Sequence, residues 1–161
     1  MASQQELYDH YCAVAAPVEL PIILYNIPPR TGNKLLPETV CRLAKDVDFS
    51  VLSGNDSLIL PALKEGGVGG IAGCSNVYPM VLSSIYELFQ EGKLDEAQAA
   101  QDSIASFRAV FKYGNPNTVV KTAAMLGYNV GKCRAPFNQL PQEGLEALEK
   151  VLQENKDKGM C

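Results

Sequence analysis

Short apolar runs alternate with helix-forming segments in the first half of this chain, and this alternation restricts the possible folds more than any other feature. Three runs are rich in β-forming residues, at 22–25, 49–52 and 68–72. Their apolar residues follow one another without a helical period, as in strands buried on both faces of a parallel sheet. Strands separated by helices form right-handed crossover units, so the sequence predicts an α/β fold with about three parallel strands.

Helix signals precede, separate and follow the three runs. Ser3 and Glu6 have the spacing of a capping box, and Asp56 is a predicted N-cap. Pro37 and Pro79 stand where a first helical turn accepts proline. These signals predict helices at 3–16, 37–46, 56–65 and 79–90.

The second half of the chain reads as helical throughout. Apolar residues spaced by three and four predict a helix with one buried face: Ala97, Ala100, Ile104, Phe107 and Phe111. Further helices are predicted at 117–126 and 144–155. We therefore expect a partial βα barrel at residues 1–92 and a C-terminal helical region at 93–161. A closed barrel of eight strands takes about 250 residues, which exceeds this chain.

Composition argues against several classes of function. The 161 residues carry a net charge of −4, with 47% hydrophobic and 20% charged residues, as in an ordinary globular protein. This balance gives no basic face for nucleic acid, and no apolar run reaches the length of a membrane span. The five cysteines and one histidine form no zinc-binding pattern. We expect a cytoplasmic protein without a metal or cofactor.

Candidate chemistry lies where the predicted strands end, because parallel α/β folds bind ligands at the carboxyl ends of their strands. Tyr25 ends the first run and could relay a proton, and Arg30 follows in a loop and could bind a carboxylate. Both residues also have an ordinary interpretation, as a tyrosine with a solvated hydroxyl and a surface cation.

Two other patterns carry less weight. Residues 67–72 match a loose GxGxxA fingerprint, but the glycines precede a strand, whereas dinucleotide binding needs them after one. His10 lies on a predicted helix between Asp9 and Tyr11, and we interpret it as a surface histidine.

Taken in order, several segments resemble the dihydrodipicolinate synthase and N-acetylneuraminate lyase family. The segments are YNIPPRTG at 25–32, LSGND at 52–56 and GGIAGCSNV at 69–77. They are followed by residues 111–121, which resemble the family's Asn-Pro turn (Asn115-Pro116) and its helix with a non-catalytic lysine (Lys121), and by residues 127–140, which resemble its LG…R.P closing segment. Each motif is weak alone, but their common order over nearly the whole chain makes the set specific.

The resemblance implies a (β/α)8 TIM barrel with a helical C-terminal extension, and lyase chemistry that condenses pyruvate with aspartate semialdehyde through a lysine Schiff base. By resemblance, Tyr25 relays protons and Arg30 binds a carboxylate at the pocket entrance. The backbone around Gly54 and Ile71 would line the pyruvate site. The family resemblance also implies an oligomer.

The chain departs from the family pattern in two places. It begins at the helix before the family's fifth strand, so four strands have no counterpart. Between Val47 and Asp48 the family carries a further strand and helix, with the Schiff-base lysine. Lys45 is the nearest lysine, but it belongs to the preceding helix. Without the amine no imine forms, so we expect negligible lyase activity.

Three interpretations remain open at this point: an inactive, internally deleted or truncated family member; a non-catalytic subunit that associates with a full-length homologue; and a small-carboxylate binding module that uses Arg30. We further predict that residues 49–52 pair with residues 22–24. That pairing would fill the place of the missing strand, because each unpaired buried backbone group costs about 1–3 kcal/mol.

Overall fold

A computed structural model of the chain describes residues 1–20, 22–46, 50–114, 117–125, 127–137 and 140–160. Its backbone contacts divide the chain into two compact units, residues 1–50 and 51–161. Each unit is described separately. The predicted boundary between residues 92 and 93 stays a prediction.

The described residues of the first unit form three helices: α1 (Gln4–Ala15), α2 (Pro28–Thr31) and α3 (Pro37–Asp46). Helix α1 begins with the predicted capping box. The Ser3 hydroxyl accepts the Glu6 backbone N–H at 3.2 Å, and the Glu6 carboxylate accepts the Ser3 N–H at 2.7 Å. The boundaries predicted for α1 and α3 from sequence are confirmed to within one or two residues.

Polar contacts from Gln4 join α1 to the start of α3. The Gln4 amide donates to the Lys34 carbonyl at 2.7 Å, and its oxygen accepts from the Leu36 N–H at 2.9 Å and the Thr39 hydroxyl at 2.7 Å. Among the described residues of this unit only Leu35, Thr39 and Leu43 are buried. This unit therefore depends on hydrogen bonds more than on an apolar core.

The predicted strand at residues 22–25 is not formed. Residues 22–27 have no regular secondary structure, and the side chains of Ile22 and Ile23 are 40% and 73% exposed. An extended segment becomes a strand only when a second strand lies beside it, and apolar composition does not supply that partner. The apolar run at residues 22–25 has the composition of a strand, but composition does not show whether a second strand lies beside it.

The second unit contains the sheet, which has two parallel strands in the described residues, β1 (Leu52–Ser53) and β2 (Gly69–Gly70). Leu52 lies opposite Gly69 and Ser53 opposite Gly70. The ladder continues on both sides, with the Val68 N–H donating to the Val51 carbonyl at 2.9 Å. Of the three predicted strands, two are therefore present in the described residues. Phe49, where one strand was expected to begin, lies outside the described residues.

One predicted strand pairing is wrong for the same reason. We expected residues 49–52 to pair with residues 22–24, but β1 pairs with β2 and residues 22–24 form no strand. The expected pairing required residues 22–24 to form a strand beside residues 49–52. The pairing that forms is instead the next one along the chain, whose crossover is short.

That crossover contains a 3-10 turn (Asp56–Leu58) and helix α4 (Ile59–Lys64). The predicted cap is displaced by one residue, because the Asn55 side chain, not Asp56, accepts the Ser57 N–H at 3.1 Å. Asp56 is buried and takes up other contacts. Pro61 stands as the third residue of α4, in its first turn, where a proline is tolerated.

The remainder of the second unit is helical, as predicted. The elements are a 3-10 turn (Gly73–Asn76), α5 (Pro79–Gln90), α6 (Leu94–Ser103), α7 (Ala105–Ala109), a 3-10 turn (Val110–Tyr113), α8 (Thr118–Ala124) and α9 (Gln142–Asp157). The predicted apolar stripe faces the core, with Ala97, Ile104 and Phe107 almost inaccessible. It extends over α6 and α7, which meet at Ile104.

Aromatic side chains form the centre of this core. The Phe107 ring packs edge-on against Tyr78 at 5.2 Å and against Phe111 at 5.4 Å between ring centroids. The buried Asn155 amide of α9 donates to the Tyr78 hydroxyl at 3.0 Å, and its oxygen accepts from Ser106 at 3.2 Å. These contacts fix the C-terminal helix to the helices before it.

Candidate functional site

Asn26 closes the loop that carries the first two predicted site residues. Its amide donates to the Leu35 carbonyl and its oxygen accepts the Leu35 N–H, both at 3.2 Å. The side chain thus pairs with both the N–H and the carbonyl of one residue, as a neighbouring strand would. The loop between Asn26 and Leu35 is held shut at its base, which explains an asparagine directly after Tyr25.

Within this loop, α2 presents Arg30. The helix begins with two prolines, whose fixed φ suits a first turn, and ends at Gly32 with φ 69°. The Thr31 hydroxyl donates to the Asn33 carbonyl at 2.9 Å and fixes the exit. Arg30 is exposed and Tyr25 is 66% exposed, so both functional groups are accessible.

The second unit places Gly54 and Ile71 at one edge of the sheet. Each residue directly follows a strand of the parallel pair, and the Ile71 N–H donates to the Ser53 carbonyl at 2.8 Å. The backbone carboxyl ends of β1 and β2 are therefore adjacent. The roles given to Gly54 and Ile71 in a keto-acid site stay predictions.

A buried carboxylate, which the sequence reasoning assigned only as a cap, supports this edge. One Asp56 oxygen accepts the Cys74 N–H at 2.8 Å, and the other accepts from Arg108 at 2.7 Å. Gln101 donates to the Asp56 carbonyl at 2.8 Å and accepts from the Leu60 N–H at 3.0 Å. Helices α6 and α7 therefore fix the segments that follow β1 and β2.

Cys74 is not a nucleophile in this arrangement. Burial, together with the neighbouring Asp56 charge, raises the pKa of the Cys74 thiol from 9.0 to about 12. With this raised pKa, the Cys74 thiol stays protonated near neutral pH. It is therefore unreactive, because the thiolate is the reactive form of cysteine.

A lysine that the sequence reasoning treated as non-catalytic lies beside the same edge. The Lys121 ammonium fills the space where a side chain on Gly73 would stand, and it lies 5.4 Å from the centre of the Phe111 ring. Glycine at position 73 leaves the room for it. In the sequence, Lys121 is marked only by its position shortly after Asn115-Pro116. That position does not indicate that Lys121 lies beside Gly73.

Two negative findings limit the chemistry of the described residues. None of their histidine, cysteine, aspartate and glutamate side chains gather in threes or more as a metal site requires. Among the same residues, no helix combines the length and apolarity that crossing a bilayer requires.

Comparison with known proteins identifies relatives for nearly the whole chain. A model of the dihydrodipicolinate synthetase family matches residues 1–48 and 45–155. The 4-hydroxy-tetrahydrodipicolinate synthase of Syntrophus aciditrophicus is 36% identical over 94% of this chain and 60% of its own length. That of Archaeoglobus fulgidus is also 36% identical, over 91% of this chain and 59% of its own length.

Solved structures give the same picture for the fold. The 4-hydroxy-tetrahydrodipicolinate synthase of Methylacidiphilum fumariolicum matches with a TM-score of 0.83 at 33% identity, covering 98% of this chain and 61% of that one. A dihydrodipicolinate synthase from Bacillus anthracis matches with a TM-score of 0.81 at 29% identity, covering 95% and 61%. The chain spans about 60% of the length of the relatives it matches.

The family match is interrupted at one internal point. Its two stretches meet at residues 45–48. The alignment to the Syntrophus protein has 176 positions, of which 94% of this 161-residue chain supplies about 151, so about 25 positions lack a residue here. The two stretches meet at the junction between Val47 and Asp48, where the family resemblance places a further strand and helix.

Proposed function

This chain belongs to the dihydrodipicolinate synthetase family, and we propose that it retains parts of the family's keto-acid site but cannot condense pyruvate with aspartate semialdehyde. The observation that carries the proposal is the internal interruption at residues 45–48. In the family, the segment missing there contains the lysine that forms the imine with pyruvate. An imine draws electrons from the adjacent carbon, and without it the carbanion that attacks the aldehyde is not stabilised.

In each unit separately, the residues with family roles suit a small carboxylate. Arg30 is exposed on a loop fixed by Asn26, so its guanidinium is available for two parallel hydrogen bonds. Gly54 and Ile71 follow neighbouring parallel strands, where a ligand meets backbone groups rather than bulky side chains. Tyr25 would supply a hydroxyl for proton relay. Each of these roles is carried over from the family resemblance.

Reductive trapping tests the missing step. The protein is incubated with pyruvate and borohydride, and its mass is compared with that of a full-length relative treated in the same way. We expect the relative to gain a stable adduct and this chain to gain none. An adduct on any lysine of this chain contradicts the proposal, and the variants Lys45→Met and Lys121→Met would locate it.

Binding without chemistry is tested by calorimetry with pyruvate. Arg30→Met should remove any heat of binding, whereas Arg42→Met is the matched control, because Arg42 is engaged by Gln5 and the Tyr8 ring. An unchanged response in Arg30→Met would remove the assigned role of Arg30.

A second candidate function is that of a non-catalytic subunit bound to a full-length homologue. It is favoured by apolar side chains that stay exposed on and near the two strands: Val51 at 48%, Leu52 at 39%, Leu58 at 49%, Val68 at 47% and Ile71 at 61%. A two-stranded sheet has open edges and apolar flanks, which a partner would cover.

Size-exclusion chromatography of the chain, alone and with a full-length homologue, tests this candidate. Co-elution that Ile71→Glu abolishes would support it. The control is Tyr128→Glu, at a side chain that is 75% exposed elsewhere in the same unit. A monomer that never co-elutes contradicts the candidate.

A further inference from the structure

A pocket separate from the strand ends lies between α8 and the loop that follows it. Its volume is about 270 Å³. The described residues that line it are Thr118, Thr122, Met125, Val130, Lys132, Cys133, Arg134 and Phe137. Gly54, Ile71 and Asp56 are absent from this lining, so the pocket is independent of the site considered above.

The shape of the pocket follows from its two walls. Thr118, Thr122 and Met125 are spaced by four and three residues, which places them on one side of α8 and its C-terminal cap. The opposite wall is the loop, which contributes Lys132 and Arg134. The Cys133 thiol donates to the Thr122 hydroxyl at 3.4 Å and connects the two walls.

The charge of the lining is one-sided. Lys132 and Arg134 are cations, and no aspartate or glutamate is among the described lining residues. Neither cation forms an ion pair with a described residue. Lys132 and Arg134 are separated by one residue, and they make this a local site for a negative group in a chain whose net charge is −4.

Three further lining residues are apolar, and they favour a ligand with an apolar part beside its charged group. Met125, Val130 and Phe137 present hydrocarbon, thioether and aromatic surface beside the cations. Small-molecule sites have this composition, with mostly apolar walls and a few polar groups that fix orientation. A fully hydrated inorganic anion would leave those walls in contact with water.

We propose that this pocket binds a small organic carboxylate with a short apolar tail. The carboxylate lies between Arg134, which pairs with both oxygens, and Lys132, which acts as a point charge. A hydroxyl from Thr118 adds a donor to the same group. The tail lies against Met125 and Phe137.

The probe is isovalerate, and acetate, isovaleramide and sulfate are the comparison ligands. Binding of each is measured by protein-detected NMR at constant ionic strength. We expect saturable shifts with isovalerate at millimolar concentration, at least tenfold weaker binding of acetate and isovaleramide, and no competition from sulfate. Equal binding of isovaleramide, effective competition by sulfate, or no binding of isovalerate would each overturn the proposal.

Substitutions then assign the parts. Arg134→Met and Phe137→Ala should each weaken isovalerate binding at least fivefold, and Arg134→Lys should retain part of it. Both positions carry exposed side chains, so a far-UV spectrum and melting temperature like those of the unmodified protein confirm folding. Lys158→Met is the matched control at an exposed lysine outside the lining. A loss in that control equal to the loss in Arg134→Met would also overturn the proposal.

Discussion

The two units of this chain are stabilised by different forces. Among the described residues of 51–161, fifteen hydrophobic side chains form one buried cluster, with Phe107, Tyr78 and Ile85 at 1% exposure or less. In residues 1–50, the described contacts are mainly hydrogen bonds from Gln4, Asn26 and Thr31. Apolar burial scales with area and is cooperative over a whole core, whereas exposed hydrogen bonds contribute about 0.5–1.5 kcal/mol each.

The difference shows what a missing neighbour does to a fold. The second unit keeps a strand pair with its crossover and several helices that cover one another. The first unit keeps a loop and helices whose apolar run at residues 22–24 has no strand partner. We therefore expect the second unit to determine the cooperative unfolding of the chain, and four predictions test this comparison.

The largest expected effect is that of Phe107→Ala. The ring is fully buried between Tyr78 and Phe111, so its removal leaves a cavity and should lower the free energy of unfolding by about 3–5 kcal/mol. Urea unfolding followed by far-UV circular dichroism measures it. Met80→Ala, at a side chain that is 77% exposed, should change the value by less than about 0.5 kcal/mol. Similar effects of the two substitutions would show that the core does not govern stability.

Next comes Asp56→Ala, which leaves Arg108 and the Cys74 N–H without their carboxylate. The pair is mostly buried, with side-chain exposures of 10% for Asp56 and 28% for Arg108. Breaking such a pair from one side costs about 3 kcal/mol, because the remaining charge stays partly desolvated. The same urea titration measures the loss. Glu87→Ala, at an exposed position of α5, is the control, and an equal loss there would contradict the role given to Asp56.

These contacts also mark how far the sequence could predict the fold and the site. Helix positions were predictable because caps, prolines and periodic apolar residues act locally, as at Ser3, Pro37 and Pro79. The parallel pairing of β1 with β2 was predictable because strands joined by crossover helices follow a general rule.

The remainder depended on contacts between distant residues. Asp56 and Arg108 are 52 residues apart, and no local pattern indicates that one is buried against the other. The strand expected at residues 22–25 failed in the same way, since its existence depends on a partner elsewhere. The Lys121 position beside Gly73 could likewise be read only from packing.

A smaller effect should appear as pH dependence of the second unit. The pKa of Cys74 is raised from 9.0 to about 12 by folding, so between these values the folded state holds a proton that the unfolded state has lost. Stability is therefore complete below pH 9 and falls as pH rises towards 12. From pH 8 to pH 10 we expect a loss of about 1 kcal/mol. Cys74→Ala should show a shallower decline over the same interval, and equal declines would contradict the assignment.

The smallest effect is expected in the first unit, for Ser3→Ala. The substitution removes one half of the capping box, and the Glu6 carboxylate, whose pKa is lowered mainly by its hydrogen bonds with Ser3, loses a partner. Because α1 lies outside the buried cluster of the second unit, the change should act locally. We expect amide hydrogen exchange in residues 4–9 to accelerate by about fivefold, as a lost cap worth about 1 kcal/mol would produce, with exchange in residues 51–161 unchanged. Ser83→Ala, at an exposed serine of α5, is the matched control and should leave α1 unaltered. Faster exchange throughout the second unit in Ser3→Ala would show that the two units unfold together, and the contrast drawn between them would then be wrong.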